Sequence, residues 1–155
     1  PYPGWSKFRN TIVQAIDILN DAGIVDKVER YSLKYVDLFP AITNREKVSM
    51  LNMKVMVADH ELEEEPFQIR VEIPKDGLIH VIQMVSSANA VLHNGVTKDG
   101  LVVDVDTLAV LDGISMQTLR NDFSTKLDSI HSANKAIFFD CLRPETLAAL
   151  EPSYE

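Results

Sequence analysis

The chain predicts an α+β fold: an antiparallel meander sheet of about five strands, packed by an N-terminal helix and a long C-terminal helix. Three patterns carry that expectation. An apolar stripe at helical spacing opens the 155 residues, alternating stretches follow with no long helix between them, and a longer helical stripe closes the chain. Strands joined by short connections pair antiparallel, because a parallel pair needs a crossover of a dozen residues or more. One face of such a sheet must be covered, and the two helices are what the chain offers for it, the longer one on the concave face.

The first helix is read from Trp5, Phe8, Ile12, Ile16 and Leu19, with Val13 and Ala15 widening the stripe. It should stop near Ala22, where Asn20, Asp21 and Gly23 break the pattern and Gly23 can take the left-handed position. Residues 29–39, ERYSLKYVDLF, then place Tyr31, Leu33 and Tyr35 on one side of a strand and Arg30, Ser32 and Lys34 on the other. Pro40 ends it. Thr43 with Glu46 three places on reads as a capping box for one helical turn to Val48.

Two alternating runs, 51–58 and 67–73, joined by the polar link DHELEEEP, predict a hairpin. A turn at Pro74, Asp76 and Gly77 leads into a long strand from Leu78 to Leu92, bulged around Ser86 to Asn89. After Asn94-Gly95 and Asp99-Gly100 comes a strand over 101–108. Ile114 and Leu119 form a hydrophobic staple about Ser115 as N-cap, and Phe123, Leu127, Ile130, Ile137, Phe138 and Cys141 extend a helix of about seven turns. Arg143 before Pro144 leaves the helical region, and Pro144-Glu145 opens a last short helix ending near Leu150.

At 46% hydrophobic residues the chain makes one domain able to bury a sizeable core. A net charge of −8 opposes phosphate backbones and anionic lipid, so neither nucleic acid nor a membrane surface is expected as partner. One cysteine, Cys141, rules out an intrachain disulfide framework and fits a reducing, cytoplasmic setting. No apolar run approaches the roughly 20 residues of a membrane span. The opening Pro1-Tyr2-Pro3-Gly4-Trp5 reads as the middle of a longer protein, entered at a domain boundary.

No Gly-rich phosphate loop, HExxH, CxxC or GxSxG is present, so no cofactor, metal or catalytic residue is assigned. What the sequence offers is a set of candidate ligand-binding residues. Arg30 and Lys34 share one strand face about 13 Å apart. Either can hold a carboxylate or phosphate, or can pair across the sheet with Glu72, Asp104 or Asp106. Asp128, His131 and Lys135 lie at i, i+3 and i+7 on one side of the long helix. An Asp beside a His can orient it and raise its pKa for general-base work; alternatively the three form a surface charge network. Tyr31 and Tyr35 read as core residues whose hydroxyls reach a rim. His60, within DHELEEEP, has metal-like composition but no zinc or calcium spacing, and His80 and His93 read as structural.

Several motifs resemble a sporadically distributed family of uncharacterised bacterial proteins. They are RYSLKYVDLFP, the run Leu-Val-Val-Asp-Val-Asp-Thr at 101–107, the pattern Leu127-Asp128-x-x-His131-x-x-x-Lys135-x-x-Phe138-Phe139, and LRPETLAALEP. Family members carry an Arg-(Ile/Leu)-Gly-Leu-Arg-Tyr-(Ile/Val)-Asn strand, an Asp-(Ile/Val)-Asp strand and a closing Leu-x-x-x-His helix. The resemblance implies the C-terminal domain of a longer protein and supplies no known active site. Here Ser32 replaces the family's Gly, Lys34 its Arg and Asp37 its Asn, and Lys lacks the bidentate guanidinium fork.

The function expected from these readings is a non-enzymatic binding or protein-interaction domain. Its partners would be the preceding region of the same protein or another copy joined through a sheet edge. The alternative is a small-ligand-binding or enzymatic domain with a pocket between sheet and long helix, using Arg30, Lys34 and His131. That alternative requires the cationic strand face and the His131 side of the helix to converge.

Overall fold

The computed structural model describes residues 3–91 and 95–150. It contains α1 (Trp5–Ala22), β1 (Val28–Pro40), α2 (Asn44–Ser49), β2 (Met56–Val57), β3 (His60–Glu61), β4 (Gln68–Lys75), β5 (Leu78–Val91), β6 (Thr97–Ile114), α3 (Met116–Asp140) and α4 (Pro144–Leu150). The main sheet has four strands, all antiparallel, in the order β1-β6-β5-β4. The α+β class therefore stands, with a long C-terminal helix and an N-terminal helix on the sheet.

Local rules explain most element ends. Gly23 closes α1 in the left-handed region at φ 63°, with its N–H on the Asn20 carbonyl. Thr43 and Glu46 form a complete capping box at α2. Ser115 accepts from the Thr118 N–H at the start of α3, and Ile114 and Leu119 join the same apolar cluster. The pairing of β5 with β6 shifts register between Val85 and Ala88, the bulge expected around Ser86.

Two expectations are corrected. The stretch 51–58 is not a strand of the sheet; only Met56–Val57 pairs, and with His60–Glu61. Leu51 instead bridges Leu142, and the corner between α3 and α4 is stitched to residues 50–52. Asn52 N–H donates to the Cys141 carbonyl, Arg143 N–H to Met50, and Arg143 Nε to the Leu51 carbonyl. Period-2 apolarity specifies burial on alternating sides, and here the helix corner satisfies the backbone that a neighbouring strand would have satisfied. The second correction is length. β6 runs on both sides of the expected 101–108, because Gly100 lies against the Phe39 carbonyl where a Cβ would collide, so this glycine permits strand pairing instead of ending it.

All four helices pack on one face of the sheet. Beneath the first half of α3 and α1 lies a cluster of Leu33, Met116, Leu119, Phe123, Leu127 and Ile130, joined by Trp5, Phe8, Ile12, Tyr31 and Tyr35. Beneath its second half, Phe39, Leu51, Ile82, Met84, Leu101, Val103, Val105, Ile137 and Leu142 form another. Cys141 belongs to the latter, and burial pushes its thiol up to about 11, so it packs as a small hydrophobe. Lys47 of α2, only 3% exposed, reaches Asp99 at 3.0 Å and ties α2 to β6.

Candidate functional site

Strand alternation decides where each candidate residue lies. Tyr31, Leu33 and Tyr35 point to the helices: Tyr31 packs edge-on against Phe123, Tyr35 lies tilted against His131, and the Leu33 carbonyl accepts from Asn134 of α3. Arg30 and Lys34 therefore project from the opposite face. Lys34 pairs with Asp104 at 2.7 Å, and the bond to that carboxylate raises its pKa, with Asp106 adding to the attraction. Arg30 stands against Val110 across the ladder, and Glu72 pairs within its own strand with Arg70. Arg30 and Lys34 are thus not brought together with His131 and Lys135, and the pocket combining Arg30, Lys34 and His131 is not formed.

The helix side has its own constellation. Arg9 of α1 grips Asp128 through Nε at 2.7 Å and a second guanidinium nitrogen at 2.8 Å, and also reaches the Ser124 hydroxyl. The Trp5 indole N–H adds a donor at 3.3 Å. These bonds hold the Asp128 carboxyl below the usual range, Arg9 contributing most. His131 stacks flat on Trp5, ring centres 3.7 Å apart at 6°. Burial lowers its pKa, Lys135 lowers it further, and Asp128 opposes both. The imidazole is therefore neutral near pH 7. With its carboxylate facing Arg9, the Asp128-His131 pair serves as a clamp between α1 and α3. Lys135 lies over the Phe139 ring at 5.8 Å.

A third polar group sits in the core. Asn134, 1% exposed, has Nδ2 within 3.0–3.1 Å of the Leu33 and Val105 carbonyls and Thr107 Oγ1, and its two N–H hydrogens are shared among these three acceptors. Thr107 Oγ1 lies 2.9 Å from Nδ1 of buried His80, whose pKa burial lowers. The Thr107 hydroxyl can donate to Nδ1 of a neutral His80, so the chain from helix to β5 is satisfied throughout. His80 is structural, as its isolated place in sequence suggests.

The remaining candidates are local. His60 lies 2.8 Å from Glu65, whose carboxyl falls to about 2 under backbone N–H bonds and this contact. Among the described residues no three His, Cys, Asp or Glu side chains are grouped to hold a metal. Leu92, His93 and the Glu151-Pro152 end of the last motif lie outside the described residues. Sequence reading missed Arg9, Asn134 and Asp37. Asp37 had a legible signal: it shares parity with Tyr31, Leu33 and Tyr35, and desolvation raises its carboxyl pKa. Asn134 had none, since an Asn at helical spacing in an apolar stripe also fits an exposed turn.

The outer face of the sheet carries the other surface feature. Leu38, Ile79, Val81, Val85, Val102 and Leu108 are half-buried there and belong to neither core cluster. Val36 and Val110 beside them are 59% and 65% exposed. At its centre the Oδ1 of Asp106 is enclosed and has no hydrogen-bond partner. No helix is long and apolar enough to cross a membrane among the described residues. No protein-family model, curated protein or solved structure matches the chain.

Proposed function

We propose that this chain is a non-enzymatic protein-interaction domain of a cytoplasmic bacterial protein, receiving another polypeptide on the outer face of its sheet. The observation that carries the reading is the composition of that face. With the described helices on the other side, Val36, Leu38, Val102, Leu108 and Val110 make an apolar surface that no element among the described residues covers. Exposed apolar side chains grouped on an uncovered face mark binding sites in soluble proteins; here they form two groups, Val36, Leu38 and Val102 at one end and Leu108 and Val110 at the other. The unpartnered Asp106 Oδ1 in its midst favours the same reading, because a shielded carboxylate oxygen without a donor is costly until a partner supplies one. The charged groups between the two apolar ends, Lys34 with Asp104, are engaged with each other.

The separation of Arg30 and Lys34 from His131 removes the geometry on which the ligand or enzyme alternative depends. By the resemblance of its strand and helix motifs, the chain is the C-terminal domain of a longer protein, and the preceding region is the first candidate partner. Photo-crosslinking from positions 36 and 110 in the full-length protein, in its own cells, tests this. Adducts to another polypeptide or to the preceding region are expected from both positions; adducts from neither contradict the reading.

A further inference from the structure

We infer that β4 is a self-complementary edge through which two copies of the chain join into one continuous sheet, its two-fold axis passing at Val71. The inference rests on the interaction reading above and names a second copy as the partner at this edge. Among the described residues β4 pairs with β5 alone, which leaves its other side an edge of the sheet. The turn at Asp76 and Gly77, with φ 53° and 78°, closes Lys75 against Leu78, so the odd residues of β4 make the ladder bonds to β5. The Ser86 N–H on the Phe67 carbonyl fixes the same parity at the other end. The N–H and C=O groups of Gln68, Arg70 and Glu72 therefore point to the free edge, and Pro74 costs the sheet no bond because its missing N–H lies on that side.

An antiparallel copy centred on Val71 places Arg70 opposite Glu72 of the second copy, and the reverse. Both are edge-facing residues, so each such pair exchanges two backbone bonds. The Gln68 N–H meets the Pro74 carbonyl, and proline ends the ladder there. On the helix side Val71 meets its own copy and Ile69 meets Ile73. Val71 and Ile73 are 42% and 37% exposed in the single chain, α3 packing chiefly over β6 and β1. A shift of the axis to position 70 would set Arg against Arg. Only the Val71 centre sets Arg70 against Glu72, so charge selects the register. Charges on an edge strand ordinarily discourage pairing. Here their alternating sign makes the edge repel strands in general and accept its own copy.

Light scattering with size-exclusion, disulfide trapping and the position-36 crosslinks together test this. The wild type is expected to be a dimer. Glu72→Arg, which faces arginine with arginine at two symmetric places, should raise the dimer dissociation constant about tenfold. Adding Arg70→Glu to it should restore the dimer, an outcome that a mere folding defect would not give. Val71→Cys should form an interchain disulfide under mild oxidation, whereas Ile73→Cys, facing residue 69, should not. A monomeric wild type overturns the inference, as does a dimer that ignores the charge reversal or traps no disulfide at 71. Position-36 crosslinks that persist in such a case leave the outer-face reading standing, so the two fail separately.

Discussion

On β6, Leu101, Val103, Val105 and Thr107 are sealed under the helices, whereas Val102, Asp104, Asp106 and Leu108, one residue out of phase, stay half open. The same strand thus builds two surfaces with different energetics, one apolar but for Thr107 and one that mixes Val102 and Leu108 with Asp104 and Asp106. On the covered face the side chains interdigitate with α3, and the buried polar groups, the Asn134–Thr107–His80 chain and Ser86, have hydrogen-bond partners. Among the described residues the open face has no second layer, and the enclosed Asp106 Oδ1 has no donor. Apolar character alone therefore does not make a core. A layer on the other side does, and the uncovered face is where partners can still contribute burial.

The contrast predicts that truncations on the two faces cost unequal amounts. Leu101→Ala, on the covered face, should destabilise the domain by about 2–5 kcal/mol in urea unfolding, through lost burial and a cavity. Next comes Asn134→Ala, about 1–3 kcal/mol, because the Leu33 and Val105 carbonyls and the Thr107 hydroxyl lose a donor in a dry site. Val36→Ala, a somewhat smaller loss of apolar atoms on the open face, should stay within about 0.5 kcal/mol. Lys34→Met breaks a pair whose Lys is half exposed and should cost about 0–1 kcal/mol. If Val36→Ala cost as much as Leu101→Ala, the outer face would be part of the core and the contrast would be void.

Acid should act on the covered face first. His131 and His80 both have folded pKa values below the ordinary 6.5, so the unfolded chain takes up protons before the folded one does. The stability contributed by keeping them neutral is complete above about pH 6.5 and is lost as pH falls below it toward the folded values. Replacing His131 by Phe keeps a ring on Trp5 and removes one of these titrations. Melting curves between about pH 7 and pH 5 should then fall less steeply for His131→Phe than for the wild type. Parallel slopes would contradict the neutral, clamped state of His131.

Much of the fold was legible because its signals are local. The stripe from Trp5 to Leu19, the capping box of Thr43, the Ser86 bulge and the Ser115 cap each depend on residues within a few places of one another. The stretch 51–58 was misread because its alternation is satisfied by the corner at Leu142, far along the chain. The candidate site was less legible for the same reason. Parity placed Tyr31 and Lys34 on opposite faces, yet nothing near Asp128 announces that Arg9, from the other end of the chain, takes its carboxylate. Pairs that form across the fold leave no spacing to read.

The separation of a face that holds the fold from a face that binds is tested most directly by carbene footprinting of the purified 155-residue chain and of the protein in its own cells. Labelling at Val36, Leu108 and Val110 should be strong in the purified, monomerised protein and fall several-fold in cells, while Leu33 and Val105 stay unlabelled in both. Equal labelling of the outer valines in the two settings would contradict the account, because it would leave the open face with no partner.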